Sequence, residues 1–176
     1  MKQPRVYIIT GGKDSGKTTL LCDVVKLLQE HELETRGFVS ELDTDDHGGR
    51  EYYLTNINTG NQQLLCTYKN YPGWIFTGKF YFNPVIIEMG TEILTDKTPP
   101  LPDFFIMDEI GKLETQGMIW EAVVKTLLDT ENAKLIWTCR DEWLTEVVKY
   151  FKLLNYRIFE ASEMSAQEIV KSILSK

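Results

Sequence analysis

Residues Gly11 to Thr19 read Gly-Gly-Lys-Asp-Ser-Gly-Lys-Thr-Thr. They satisfy the pattern G-x-x-x-x-G-K-[ST], with Gly11, Gly16, Lys17 and Thr18 at the fixed positions. The chemistry that this spacing serves is the holding of phosphate. Gly11 and Gly16 allow backbone conformations that a Cβ would obstruct, so successive N–H groups can converge on phosphate oxygens. Lys17 brings a point charge to the β- and γ-phosphates, and the Thr18 hydroxyl is a ligand for Mg²⁺. Gly12, Lys13, Asp14, Ser15 and Thr19 complete the candidate nucleotide-binding stretch. A helix that begins within it presents free N–H groups and a macrodipole that favour an anion.

A second group of reactive side chains follows a run of bulky apolar residues, Phe104-Phe105-Ile106-Met107-Asp108-Glu109. Such a run describes a buried parallel strand whose C-terminal edge delivers carboxylates to a site. With a phosphate loop elsewhere in the chain, Asp108 is the candidate for holding Mg²⁺, directly or through water. Glu109 is the candidate general base for an attacking water, or else an ion-paired loop acid. Thr138-Cys139-Arg140 is expected at the same sheet edge. There Thr138 would sense phosphate, and Arg140 would neutralise transition-state charge or form a surface ion pair.

The elements that must position these groups are legible around them. Val6-Tyr7-Ile8-Ile9 reads as a buried strand, and Leu20, Leu21, Val24, Val25, Leu27 and Leu28 recur at helical spacing to about Glu32. A short strand is expected at Thr35–Glu41, and residues 38–66 read as a β-hairpin or small antiparallel excursion from the main sheet. The polar stretch Asp43–Gly49 reads as a solvated turn rather than a metal site, because its spacing matches no calcium loop. Residues 68–82 hold seven aromatic side chains among Pro72, Gly73 and Gly78, either core packing under a long loop or a flap over a base or second substrate. Asn83-Pro84 opens a predicted helix through Leu94, and Thr98–Pro102 is a stiff connector. Thereafter the prediction is a helix over Gly117–Asp129, a strand over Ala133–Thr138, a helix over Glu142–Lys152 and a strand over Tyr156–Phe159. Ser165-Ala166-Gln167-Glu168 forms a capping box that opens a final helix. Strands alternating with helices imply an α/β fold of three layers, a mainly parallel sheet with helices on both faces.

The chain has 176 residues, of which 43% are apolar, enough to bury a core without cross-links, and the reading is one domain over 1–176. A net charge of −7 argues against a non-specific nucleic-acid partner. Cys22, Cys66 and Cys139 form no C-x-x-C pair, so neither zinc nor a disulfide framework is indicated, and they are expected to be reduced core thiols. No signal-like or membrane-length apolar run is present, and a cytoplasmic protein is expected.

Gly11–Thr19, then Gly37-Phe38-Val39-Ser40-Glu41, then Asp108-Glu109-Ile110-Gly111-Lys112-Leu113-Glu114 together resemble the small P-loop nucleoside-triphosphatases described from thermophiles. The cancer-related nucleoside triphosphatases belong to the same family. Its signature after the acidic strand is Asp-Glu-Ile-Gly-x-Met-Glu, with Leu113 here in place of Met. A second departure is Glu160-Ala161-Ser162-Glu163, where family members often carry an Asn-Arg pair. The resemblance implies the P-loop NTPase fold and slow, base-tolerant hydrolysis of nucleoside 5′-triphosphates such as ATP or GTP to diphosphates, with Mg²⁺. The chain is similar, less closely, to GTP-binding adaptors of molybdopterin dinucleotide synthesis. On this reading Lys17 and Glu109 are the catalytic residues, and Thr18 and Asp108 position the metal. The alternatives are a kinase for a nucleoside, nucleotide or other small acceptor, and a nucleotide-dependent binding module.

Overall fold

Val6 to Gly11 is buried at every position, as a strand covered on both faces must be. Alternate residues of this strand enter different cores. Val6 and Ile8 join one apolar cluster, and Tyr7 and Ile9 join the other, on the opposite face of the sheet. That division sets the three layers.

The computed structural model describes residues 5–175. Along the chain run β1 (Val6–Gly11), α1 (Lys17–Glu30), β2 (Thr35–Thr44), β3 (Arg50–Asn56) and β4 (Gln62–Thr67). Next come β5 (Ile75–Phe76), β6 (Tyr81–Phe82), α2 (Pro84–Thr95), β7 (Phe104–Met107), α3 (Lys112–Thr115) and α4 (Glu121–Asp129). The chain finishes with β8 (Leu135–Arg140), α5 (Asp141–Tyr150), β9 (Tyr156–Glu160) and α6 (Ala166–Leu174). The nine strands of the described residues form one sheet in the order β5-β6-β4-β3-β2-β7-β8-β1-β9. The strands β2, β7, β8, β1 and β9 are mutually parallel, and β3, β4, β6 and β5 continue the sheet antiparallel.

On one face Leu21, Val24, Val25 and Leu28 of α1 and Ile169, Val170 and Ile173 of α6 pack on Ile9, Ile106 and Ile136. On the other, Ile86 and Leu94 of α2, Val123, Val124 and Leu127 of α4 and Val147 of α5 pack on Ile8, Leu135 and Trp137. Leu28 is fully buried, so Leu28→Ala is expected to destabilise by about 2–5 kcal/mol.

β2 belongs to both halves of the sheet. Thr35–Gly37 pairs in parallel with Phe104–Ile106, and Phe38–Thr44 pairs antiparallel with β3. Gly37 sits at φ +151°, and a Cβ there would lie 1.9 Å from the Ile106 carbonyl oxygen. Only glycine allows the strands to approach so closely. Arg36 donates to the carbonyls of Thr98 (2.7 Å) and Pro100 (2.9 Å), which ties the proline-rich connector to this strand.

Three expectations need correction. The antiparallel excursion extends beyond a hairpin, because the two-residue strands β5 and β6 add to β4. The helix expected over Gly117–Asp129 begins at Glu121. Gly117 at φ +75° closes a turn after the short α3, and Ile119 at φ +50° also departs from helical geometry. The Glu114 carboxylate fixes that turn by accepting from the backbone N–H of Gly111 at 2.8 Å and of Trp120 at 3.5 Å. Finally, Cys66 and Cys139 are buried, but Cys22 is exposed. It lies on α1 outside the buried stripe of Leu21, Val24, Val25 and Leu28.

Candidate active site

The loop between β1 and α1 leads into a helix whose first amides no side chain caps. Gly16, at φ +83°, is the residue before α1, and no side chain caps that helix. Helices α2 and α6 are capped instead by Asn83 and Ser165. An uncapped N-terminus keeps its orphan N–H groups available to an anion. Lys13, Asp14, Ser15, Gly16 and Thr19 are exposed, Gly12 and Thr18 half-buried, and Gly11 buried. Gly11 sits at φ +156°, a conformation that residues with a Cβ rarely adopt, and a Cβ there would also displace the Ser15 hydroxyl. Lys17 is buried, and its Nζ donates to the Gly12 carbonyl at 2.6 Å, folded over the loop it is expected to serve.

Asp108 follows β7 and is fully buried. Its Oδ2 accepts from Thr18 Oγ1 at 2.8 Å and from Ser40 N at 3.0 Å, and its Oδ1 accepts from Thr138 Oγ1. Two other strands and the phosphate-loop helix therefore converge on the carboxylate that β7 delivers. Burial pushes its pKa above the ordinary carboxylate range, while the bonds from Thr138, Ser40 and Thr18 oppose that shift. Among the described residues no Lys or Arg nitrogen forms an ion pair with Asp108. A buried carboxylate beside a hydroxyl, with no protein cation, suits a hard divalent ion. Mg²⁺ fits this donor set, because it is commonly held by one or two protein oxygens together with phosphate oxygens and water. Among the described residues no group of three or more His, Cys, Asp and Glu side chains could hold a metal by itself.

Glu109 adopts φ +60°, uncommon for a residue with a Cβ. Its N–H donates to Thr138 Oγ1 at 2.8 Å, so one hydroxyl holds both acids in place. The Glu109 carboxylate pairs with Arg140 Nε at 3.5 Å, and Arg140 also lies 3.9 Å from Glu142. Desolvation first, and the neighbouring Asp108 second, raise the Glu109 pKa, against the opposing pull of Arg140 and Lys17. A carboxylate raised in this way is better matched to taking a proton near neutrality.

Thr18, Asp108, Glu109, Thr138 and Arg140, all singled out from sequence, thus lie at one edge of the sheet. Arg140 aligns with Gly11 across the β1–β8 pair. Ser40, Arg50 and Tyr52 were not anticipated. Arg50 reaches the phosphate loop, 3.6 Å from Asp14, and is hydrogen-bonded to Tyr52. Ser40 acts through its backbone, for which a sequence carries no signal. Arg50 follows a glycine turn, and only the fold carries it back to the loop.

Beside Glu109 lies a cavity of about 290 Å³, between the antiparallel strands and the segment from Ile110 to Trp120. Phe80 and Phe82 of the aromatic stretch form part of its wall. The stretch as a whole is not core. Phe82 is buried, whereas Tyr68, Tyr71 and Phe76 are exposed and pack as pairs with Phe80, Trp74 and Tyr81 at centroid distances of 4.4, 4.7 and 4.8 Å.

A family model described as NTPase matches residues 6–174. The chain belongs to that family. It is 28% identical over 169 residues to a nucleoside-triphosphatase THEP1 of Thermotoga sp. strain RQ2, covering 96% of this chain and 92% of that relative. A nucleoside-triphosphatase THEP1 of Sulfolobus acidocaldarius is 26% identical over 77% of each chain. Among solved structures, a human cancer-related nucleoside triphosphatase superposes with TM-score 0.71 at 20% identity, over 97% of this chain and 95% of that one. THEP1 from Aquifex aeolicus superposes with TM-score 0.68 at 21% identity, over 96% of each chain. The expected P-loop α/β architecture is therefore the fold of this NTPase-family protein.

Proposed function

We propose that this NTPase-family protein hydrolyses nucleoside 5′-triphosphates to the diphosphate and phosphate, in the cytoplasm, with Mg²⁺ and with broad tolerance of the base. The observation that carries the proposal is the convergence of Thr18, Asp108 and Thr138 in one hydrogen-bonded cluster, with Glu109 held beside it by the same threonine. The groups assigned to the substrate address its phosphates rather than its base, which supports the tolerance. The free thiols Cys22, Cys66 and Cys139 suit a reducing compartment.

In this mechanism the amides of residues 12–19 and the Lys17 ammonium bind the β- and γ-phosphates, Lys17 leaving the Gly12 carbonyl to do so. Thr18 and Asp108 would hold Mg²⁺, which when bound offsets charge on the phosphate oxygens. Glu109 accepts a proton from water aligned with the γ-phosphorus. Arg140, released from Glu109 as that carboxylate takes the proton, is free to turn toward charge on the transferring group. Phosphate release from ATP, GTP, CTP and UTP, with both products identified, tests the proposal. Comparable release of phosphate and the nucleoside diphosphate from all four is expected. Absence of release from every one would remove the hydrolase reading, and release from a single one would remove the base tolerance.

A further inference from the structure

We propose that the cavity beside Glu109 is an acceptor site for a neutral, planar aromatic or heteroaromatic alcohol, to which the protein transfers the γ-phosphoryl group. The inference rests on the phosphate-site reading above and extends it to a second substrate.

Position is the first argument. Glu109 and Ser40 both line the cavity, and Ser40 N is bonded to Asp108, so its inner end abuts the acids at the γ-phosphate position. The other flank of the phosphate loop points elsewhere. Gly11 neighbours Glu160 at the end of β9, on the far side of the sheet from the cavity. A nucleotide can thus lie toward β9 while the cavity holds a different molecule against Glu109.

Size and wall chemistry are the second argument. About 290 Å³ is near the lower limit of small-molecule pockets and accommodates one or two fused rings. Tyr52, Phe80, Trp120 and Trp143 supply flat apolar surface, which suits a planar ring. The two lysines that line the cavity are turned onto aromatic faces, and Arg140, which also lines it, is paired with Glu109 and Glu142. Lys79 Nζ lies 5.6 Å from the Phe80 centroid, and Lys112 Nζ 5.5 Å from that of Trp143. Neutral acceptors are favoured accordingly.

Strain is the third. Glu109 at φ +60° and Ile119 at φ +50° both line the cavity. A β-branched residue in the left-handed region is costly, and such geometry concentrates where a site is being shaped. The Ile119 side chain also packs against the core beneath the cavity.

The step balances simply. The acceptor hydroxyl oxygen forms a bond to the γ-phosphorus, and the bond from that phosphorus to the β–γ bridging oxygen breaks. The nucleoside diphosphate leaves with that electron pair, and the hydroxyl proton passes to the Glu109 carboxylate. Water in the empty cavity gives hydrolysis by the same path.

The test uses the full chain with ATP and Mg²⁺, and benzyl alcohol, 3-pyridylmethanol and quinolin-3-ylmethanol as acceptors. Inorganic phosphate and aryl-methyl phosphate are measured separately. Independently of nucleotide and metal, 3-methylquinoline is titrated while tryptophan fluorescence is followed, since Trp120 and Trp143 line the cavity. Expected results are an aryl-methyl phosphate from at least one alcohol, quenching by 3-methylquinoline, and competition of that compound with the alcohol but not with ATP. Ile119→Gly and Phe80→Ala should each lower the ratio of aryl phosphate to inorganic phosphate at least tenfold. Ile119→Gly relieves the left-handed strain but removes a core contact, so unchanged phosphate release by each variant is required beside the loss of transfer. Phosphate release without aryl phosphate from any alcohol would overturn the acceptor site and leave the hydrolase reading standing. Aryl phosphate without inorganic phosphate would uphold the acceptor site and overturn the hydrolase reading. Competition of 3-methylquinoline with ATP would make the cavity a base pocket and overturn the proposal, as would neither product forming.

Discussion

The two halves of the sheet treat polar atoms differently. On the parallel side, both carboxylate oxygens of buried Asp108 have partners, in the Thr138 and Thr18 hydroxyls and in the Ser40 amide where β2 passes from one half to the other. In the antiparallel half, the cavity wall is aromatic, and several rings outside it stack on one another at the surface. The difference teaches where precision is needed. Phosphoryl transfer depends on positioning of charge to within fractions of an ångström, which buried hydrogen bonds enforce. A flat acceptor or an access path asks only for shape.

The sharpest way to break this contrast is Glu109→Gln, at the boundary between the halves. If Glu109 takes the proton, turnover should fall by roughly two to four orders of magnitude. Affinity for a non-hydrolysable triphosphate, measured with Mg²⁺ present beside wild type, should change little. Loss of both would move Glu109 into the metal shell, and full turnover would leave it a loop acid. Lys17→Ala should lower turnover by about two to three orders of magnitude, as loss of one group stabilising transition-state charge does. Normal turnover in that variant would remove the phosphate-loop assignment. Asp108→Asn should raise the Mg²⁺ needed for half-maximal activity about tenfold or more, and excess Mg²⁺ should restore part of the rate. An unchanged magnesium titration would count against its metal role.

Two smaller effects concern stability. The Glu114 carboxyl is buried and pushed up to about 7, with burial outweighing its bonds from Gly111 and Trp120. The folded protein therefore binds a proton there that the unfolded chain releases near pH 4.5. Glu114 stabilises fully below that pH, and the stabilisation is lost as pH rises through about 7. The slope reaches up to about 1.4 kcal/mol per pH unit. Denaturant titrations between pH 4.5 and 7 should show the slope in wild type and lose it in Glu114→Gln. An identical slope in both would assign it to other groups. Ser165→Ala, which removes the side-chain cap of α6, should cost about 1 kcal/mol and leave turnover untouched. A change in turnover there would tie the α6 cap to the site rather than to stability alone.

Much of the parallel half was legible in the sequence. The apolar run ending at Asp108 and the loop pattern ending at Thr19 each name both an element and a role. That Thr138 would hold Asp108 and the Glu109 amide was not legible, because it depends on the register that sets Met107 opposite Trp137. The start of α4 was misjudged for a related reason. Val123, Val124 and Leu127 have helical spacing, but the preceding turn is fixed by Glu114 through hydrogen bonds that periodicity cannot register. The aromatic stretch resisted reading because its rings pair across short strands, at no regular spacing.

The place of β1 in the sheet has a consequence for synthesis. β1 is the first described strand made, yet Val6 aligns with Leu135 on one side and Tyr156 on the other. The phosphate loop must therefore wait for most of the chain before its strand gains either neighbour. β2, β3 and β4 are joined by short turns and can pair long before that. Nascent chains halted at residue 130 should accordingly resist protease across Phe38–Thr67 while Val6–Gly11 is cut, and equal protection of both would contradict this order. A cell that makes this protein thus exposes an apolar β1 until β8 and β9 have been made, and the nucleotide can bind only after that.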